Sequence, residues 1–285
     1  NEGNKVYVEN IFVSGNEKTR ENVIRRELKL YPGDVFSRSK LMRSQRDIWI
    51  LNYFDNVIPD VTPISDDKVN LDFVVEEKKS TQRINANLGF TGEYGITGGA
   101  GVEFDNFRGK GQKLNVGVST GTNFSIYTTQ EPSKYRSLNI SFQDPMINDS
   151  PYLVGASIFY SFRGSSTNYY FPLDFTVGGA VASFGRRLEW PDDFFRVMWS
   201  AKFMQKEYEG SQSDIDNYIG GLQKTRGISL SQVLSRDSRN RAEFPTNGST
   251  FILENTYSGG FLGGNENFQK HMLTLDWFTP TFSKF

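Results

Sequence analysis

Four stretches of the 285-residue chain carry side chains whose types and spacing could do chemistry. In RDSRNRAEFPTNGS (236–249), Arg236, Asp237, Arg239 and Arg241 crowd the first six positions ahead of Phe244, Pro245 and Gly248, a composition open to an active site, a nucleic-acid patch or a turn. His271, in QKHMLTL, is the single histidine and so the one candidate base for a Ser-His hydrolase. In SDIDNYIG, Asp214 and Asp216 have the alternate spacing of a calcium loop. GITGGAG, from Gly95 to Gly101, has the glycine density of a nucleotide loop.

The blander readings carry more weight. The acidic stretch lacks the terminal bidentate Glu that a calcium loop needs, so a solvated loop is expected. GITGGAG lacks the G-x-G-x-x-G spacing and runs into a strand pattern, so no helix dipole can back a phosphate there; its glycines fit a hairpin and strand curvature. With one His and no Cys, thiolate catalysis and Cys-based metal sites are excluded and a metal cluster is not expected. His271 then reads as a structural or lumen-facing residue, no cofactor is called for, and the chain is not read as an enzyme. Lys plus Arg (32) nearly balances Asp plus Glu (33), for a net charge of -1, and no basic run stands out, so nucleic acid is not an expected partner.

The positions around these stretches follow two periods. KVYVENIFV (Lys5 to Val13) alternates like a strand, and Thr19 is placed to cap a helix through RENVIRREL that Pro32 and Gly33 break. Ser37 is a second cap candidate, opening a helix to about Tyr53 with Leu41, Ile48 and Leu51 in one stripe. Strands near Asn56 to Ile64 and Val69 to Val75 follow, giving the order β-α-α-β-β. Pro59 and Pro63 are four apart, so their missing N–H groups fall on one side, which suits a blunted edge strand.

Beyond Lys79 only the period of two remains. Ile84, Ala86, Leu88 and Phe90 alternate with Arg83, Asn85, Asn87 and Gly89; the same dyad recurs to Leu273–Trp277, for about ten strands. A soluble sandwich would alternate too. Three features favour lipid instead: strands of membrane length, aromatics such as Trp190, Trp199, Tyr208, Tyr257, Trp277 and Phe278 toward strand ends, and tight turns (DNFRGKGQ, DPMINDSP) alternating with long polar loops. The longest apolar run, LVGASIFYSF from Leu153, is too short for a membrane helix, and NEGNKVYVEN has no signal-peptide pattern.

GNEKTRENVIRREL, PGDVFSRSKLMRSQRDIWILNYFDNV and VNLDFVVEEK together resemble the last POTRA module of a BamA-like outer-membrane assembly protein, and DNFRGKG and RDSRNRAEFPTNGS resemble the periplasmic turns of that family's barrel. The resemblance implies an α+β POTRA module over residues 1–79 in the periplasm, then the N-terminal strands of an antiparallel transmembrane β-barrel over 80–285 in the outer membrane. Family barrels look sixteen-stranded and carry a Val-Arg-Gly-Phe type motif in the sixth long loop. About ten strands and no such motif occur here, so the chain is expected to be an internal piece of a longer protein.

What the resemblance further implies is a factor that folds and inserts β-barrel proteins through a lateral gate. The gate strand is Arg83, Ile84, Asn85, Ala86, Asn87, Leu88, Gly89 and Phe90, and the periplasmic turns include Asp105, Asn106, Gly109, Gly111, Arg236, Asp237, Pro245 and Gly248. Its partners would be unfolded outer-membrane clients, accessory lipoproteins and the bilayer. The alternatives are a POTRA-barrel transporter secreting a partner protein and an outer-membrane hydrolase using His271.

Overall fold

In the computed structural model, residues 5–91, 95–122, 134–165, 171–192, 194–240 and 245–280 are described. The chain forms two compact units, one of Asn1–Arg83 with Glu103–Leu114 and one of Ile84–Val102 with Asn115–Phe285.

The first unit contains β1 (Tyr7–Ser14), α1 (Glu21–Arg25), α2 (Arg38–Ile50), β2 (Phe54–Ser65) and β3 (Lys68–Glu77), the expected β-α-α-β-β order. The three strands form a sheet in the order β1-β3-β2, with β1 parallel and β2 antiparallel to β3. Alternation along β3 sends Val69, Leu71, Phe73 and Val75 to one face, where they are buried with Val8 and Ile11 of β1 and Phe54 and Val57 of β2. Val23 and Ile24 of α1 and Leu41 and Ile48 of α2 close over that face. Ser44 lies fully buried on the same stripe, its Oγ donating to the Lys40 carbonyl and accepting from the Lys29 N–H, so a hydroxyl is satisfied inside the core.

β2 is an edge strand, in keeping with its two prolines, which could not donate to a second neighbour. The expected Thr19 cap is not formed. Arg20 holds the cap position, and Thr19 is buried with its hydroxyl accepting from Asn106; α1 runs from Glu21 to Arg25 and ends short of its pattern, where Glu27 and Leu28 bond back three residues to Ile24 and Arg25. Ser37 does precede α2, but its Oγ pairs with Ser39 rather than capping a backbone N–H.

The ten-stranded sheet runs β4 (Gln82–Thr91), β5 (Gly95–Phe107), β6 (Gln112–Thr122), β7 (Lys134–Asp144), β8 (Tyr152–Arg163), β9 (Asp174–Arg187), β10 (Phe195–Glu209), β11 (Lys224–Asp237), β12 (Gly248–Ser258) and β13 (Phe268–Phe278). Each strand pairs with its sequence neighbours, and β4 and β13 are the two edges, so the sheet is not closed. Register places Leu138, Ile140, Ile158, Ala180, Ala182 and Ala201 on one face and Ser137, Asn139, Ser157, Ser183 and Ser200 on the other. That is the apolar-out, polar-in dyad of a membrane barrel. The connections from β5 to β6, β7 to β8, β9 to β10 and β11 to β12 share one end, called here the turn end; the connections at the opposite, loop end include α3 (Gln212–Ile219).

Two expectations for these strands are corrected. The Asp214/Asp216 stretch is a helix, not an irregular calcium or solvated loop: Ser211 accepts the Asp214 N–H as its cap, and Gln212 donates to Asp216. Trp199 lies well inside β10 rather than at a strand end, and Tyr208 faces away from the apolar side, where it packs against Phe171 and Phe175 beside the buried Leu173. GITGGAG falls inside β5, where a Cβ on Gly99 would meet the end of the Asn87 side chain at 2.5 Å and the Val118 carbonyl oxygen at 3.3 Å.

The first unit depends on the alternating face of β3. Replacing Phe73 by Ala should cost about 3–5 kcal/mol, read as a lowered urea midpoint for the unit's unfolding; a change below about 1 kcal/mol would show that the helices do not depend on that face.

Candidate functional site

Two arrangements stand out, an exposed strand edge and a turn held by side chains from distant parts of the chain. β4 is bonded to β5 on one side only. Ile84, Leu88 and Phe90 are 79%, 83% and 79% exposed, far above the apolar residues of interior strands, and Asn85, Ala86, Asn87 and Gly89 are exposed as well. The polar face is tied to β5 at its start: the Arg83 guanidinium lies 2.9 Å from Glu103 and 3.0 Å from Asp105, and Lys113 stands 4.0 Å from the same Asp105. Among the described strands β4 therefore has a single neighbour, and its start is pinned by charge.

The second arrangement lies within the first unit. Glu77, at the end of β3, accepts the backbone N–H groups of Lys18 and Thr19 at 2.8 and 2.6 Å. Asn106 donates its amide to the Thr19 hydroxyl at 2.8 Å and accepts the Gly111 N–H at 2.7 Å. The Arg20 N–H donates to the Gly109 carbonyl at 2.9 Å, and the buried Tyr53 hydroxyl reaches the Gly111 carbonyl at 3.4 Å. Together these bonds fasten the turn at 108–111 to the segment that opens α1. Arg108, Gly109 and Gly111 all take positive φ, and a Cβ on Gly109 would overlap the Lys18 carbonyl oxygen, so this approach requires glycine.

The electrostatics follow from the geometry. Burial pushes the Glu77 carboxyl up, but hydrogen bonds from the Thr19 side chain and the Lys18 and Thr19 amides outweigh it and leave the pKa below the usual carboxylate value. Burial pushes the Tyr53 phenol up to about 12, so it stays neutral and able to donate.

Of the sequence-predicted turn residues, Asp105 and Asn106 end β5, and Gly109 and Gly111 lie in the turn itself. Arg236 and Asp237 end β11, Pro245 lies in the following turn and Gly248 begins β12 with φ 106°. The charges there pair locally: Arg236 with Asp192 at 2.9 Å and with Ser238 and Ser249, and Arg239 with Asp237 at 2.7 Å. Arg241 and Phe244 lie outside the described residues. His271 is not lumen-facing. It shares a face with the exposed Leu273, Leu275 and Trp277, and its Nδ1 meets the Asn255 amide oxygen at 2.8 Å. Sequence patterns missed Thr19, Tyr53 and Glu77 as partners of the turn, since no local period links residues 58 to 87 positions apart.

The clasp should respond to substitution and to acid. Asn106→Ala removes two hydrogen bonds and should loosen the turn by about 1–3 kcal/mol, seen as faster amide exchange at Arg20 and Gly111; unchanged exchange would contradict the clasp. Because the Glu77 pKa is lowered on folding, its contribution is complete above the ordinary value of 4.5 and is lost as pH falls through the folded pKa. Exchange at Lys18 and Thr19, corrected for intrinsic rates, should accelerate on acidification in the native chain and lose that dependence in Glu77→Gln.

Comparison with known proteins places the whole arrangement. Residues 106–285 match the Omp85 superfamily domain, and residues 6–78 match the POTRA family, described as a surface antigen variable number repeat. The outer membrane protein assembly factor BamA of Nitratidesulfovibrio vulgaris is 29% identical over 276 residues, covering 93% of this chain and 31% of that protein. BamA of Neisseria meningitidis serogroup B is 38% identical over 119 residues, 41% of this chain and 15% of its own length. The chain thus spans less than a third of the length of these relatives. BamA from Haemophilus ducreyi lacking POTRA domains 1–3 superposes with TM-score 0.68 at 19% identity, covering all of this chain (100%) and 54% of that one. CdiB from Acinetobacter baumannii gives 0.56 at 17% identity over 95% of this chain and 48% of its own. Both likenesses are of fold. With the Omp85 domain matched over more than half its length, this chain belongs to the Omp85 superfamily, as an outer-membrane protein in which a periplasmic POTRA module precedes the strands of a partial BamA-like barrel.

Proposed function

We propose that this chain is the portion of an outer-membrane assembly factor that receives β-barrel clients, with β4 as the lateral gate. The observation that supports the reading most is the free edge of β4, a membrane-length strand whose Arg83–Phe90 face has one partner strand and one open side. An incoming client strand would pair along that side by main-chain hydrogen bonds, the mode known as β-augmentation. In lipid an unpaired backbone group costs several kcal/mol, so pairing and burial of the client's apolar face supply the free energy, with no covalent chemistry or cofactor.

The division of labour follows. Residues 1–79 act as a periplasmic adaptor and 80–285 as barrel. The turn end, with Asp105, Asn106, Gly109 and Gly111 and with Arg236, Asp237, Pro245 and Gly248, faces the periplasm. The edge of β2 is blunted by Pro59 and Pro63, so the module serves as a rigid mount more than as a docking strand for clients. Accessory lipoproteins and unfolded outer-membrane proteins are the partners this role requires.

The fold shared with CdiB supports a second reading, a transporter that secretes one partner protein through its pore. Depletion separates the two: loss of many outer-membrane proteins belongs to an assembly factor, arrest of a single exported partner to a transporter. For the gate, proline placed between Ala86 and Leu88 at a position whose N–H points away from β5 should reduce client assembly by about tenfold or more, as expected when a ladder bond is removed and the ring clashes. Ala substitutions of Asn85 or Asn87 should have little effect. Full client assembly in the proline variants would rule out β4 as the template.

A further inference from the structure

The helices and the sheet of the first unit leave two outward faces, one on each side. In RSKLMRSQRDIWI, the sequence of α2, the helical period sets Leu41, Ser44 and Ile48 on the buried side and gathers Arg38, Met42, Arg43, Arg46, Trp49 and Ile50 on the opposite arc. Met42, Trp49 and Ile50 are 49%, 52% and 57% exposed, although they belong to a helix that already has a core to cover. The helix has one acid, Asp47, and it is turned aside to Lys29 at 3.3 Å. The outward arc thus combines three arginines with three large apolar side chains and holds no carboxylate.

The far side of the sheet has the opposite charge. With Val69, Leu71, Phe73 and Val75 turned into the core, alternation turns Asp72, Val74 and Glu76 outward. Register sets Asp72 between Phe12 of β1 and Asp60 of β2, and Val74 beside Ile58 of β2. Phe12, Ile58 and Val74 are half-exposed as well. Asp60 and Asp72 stand directly opposite each other, an arrangement that costs a sheet stability. None of Asp60, Asp72 and Glu76 has an ion-pair partner among the described residues, and Lys68, the one cation of β3, is held by Glu9 at 2.8 Å. Carboxylates kept together without a cation, around exposed apolar groups, make a surface suited to receive positive charge.

We propose that these faces are the two halves of one interface: the first unit docks head to tail on the first unit of a second copy of this chain, α2 of one copy lying on the outer sheet face of the next. Charge selects that partner. The arginines of α2 meet Asp60, Asp72 and Glu76, while Met42, Trp49 and Ile50 cover Phe12, Ile58 and Val74. Because the helices close over the inner face of the sheet, the two faces look in opposite directions, and a two-fold contact through either would set arginine on arginine or aspartate on aspartate. An anionic bilayer or an acidic protein would suit α2 and leave the carboxylates of the sheet unanswered; a cationic protein would do the reverse. A second copy answers both. So few side chains on each face fit a weak, reversible contact rather than an obligate one.

The test uses purified full-length protein without client, in vesicles of phosphatidylcholine and phosphatidylglycerol, so its outcome does not depend on whether the protein assembles or secretes. A photo-crosslinking residue replaces Met42, a second copy is isotopically labelled, and adducts are mapped by mass spectrometry. Intermolecular adducts near Phe12 and Ile58 of the other copy are expected. Arg38→Glu/Arg43→Glu in the probe-bearing copy, and separately Asp60→Lys/Asp72→Lys in the other, should each lower their yield by about fivefold or more. Mixing the two variants brings Glu onto Lys and should restore the yield to within about twofold of native, a recovery that misfolded variants would not show. Adducts from the native sequence confined to lipid or to the same molecule would overturn the proposal, as would a mixture that stays at the level of the separate variants.

Discussion

A backbone group inside a bilayer has no water to bond, and every strand crossing this membrane must find its N–H and C=O partners in another strand. The architecture follows from that constraint. It explains why ten consecutive strands pair strictly with their neighbours and why their apolar and polar residues alternate over membrane length. β4 carries Leu88, the most exposed apolar side chain among the described residues of the sheet. An edge of this kind is a liability in a soluble protein and a template in one whose task is pairing strands.

The same constraint gives the first unit its meaning. The β5–β6 turn is too short to wander, and it is fixed by Asn106, Gly109 and Gly111 to the loop that Glu77 organises from the far end of β3. Arg83 then anchors the start of β4 to Glu103 and Asp105. On the proposed gate role, a strand held at its root is ordered in advance, which would reduce the entropy lost when a second strand pairs with it.

Much of this was legible in the residues, for physical reasons that also mark where legibility stops. A period of two is imposed by the pleat, so Ile84 to Phe90 and Leu273 to Trp277 announced strands with their faces assigned. The POTRA order was legible because Leu41 and Ile48 share a helical stripe and Pro59 and Pro63 mark an edge. Thr19 was misread as a cap because local propensity cannot register a competitor 87 positions away in sequence, the amide of Asn106. The α3 segment was misread because a Ser211 cap and one buried Ile215 suffice to form a short helix in a stretch whose polar composition suggests a loop.

The central claim is that the open side of β4 pairs with a client strand. It is tested most directly by placing a photo-crosslinking residue at Asn85, Asn87 and Gly89 in turn, in the full-length protein, and trapping adducts while a client barrel assembles. Pairing in register predicts crosslinks from each position to residues of one client strand, shifting by two residues as the probe moves by two. Crosslinks scattered along the client with no fixed register, or adducts formed only with lipid, would contradict it.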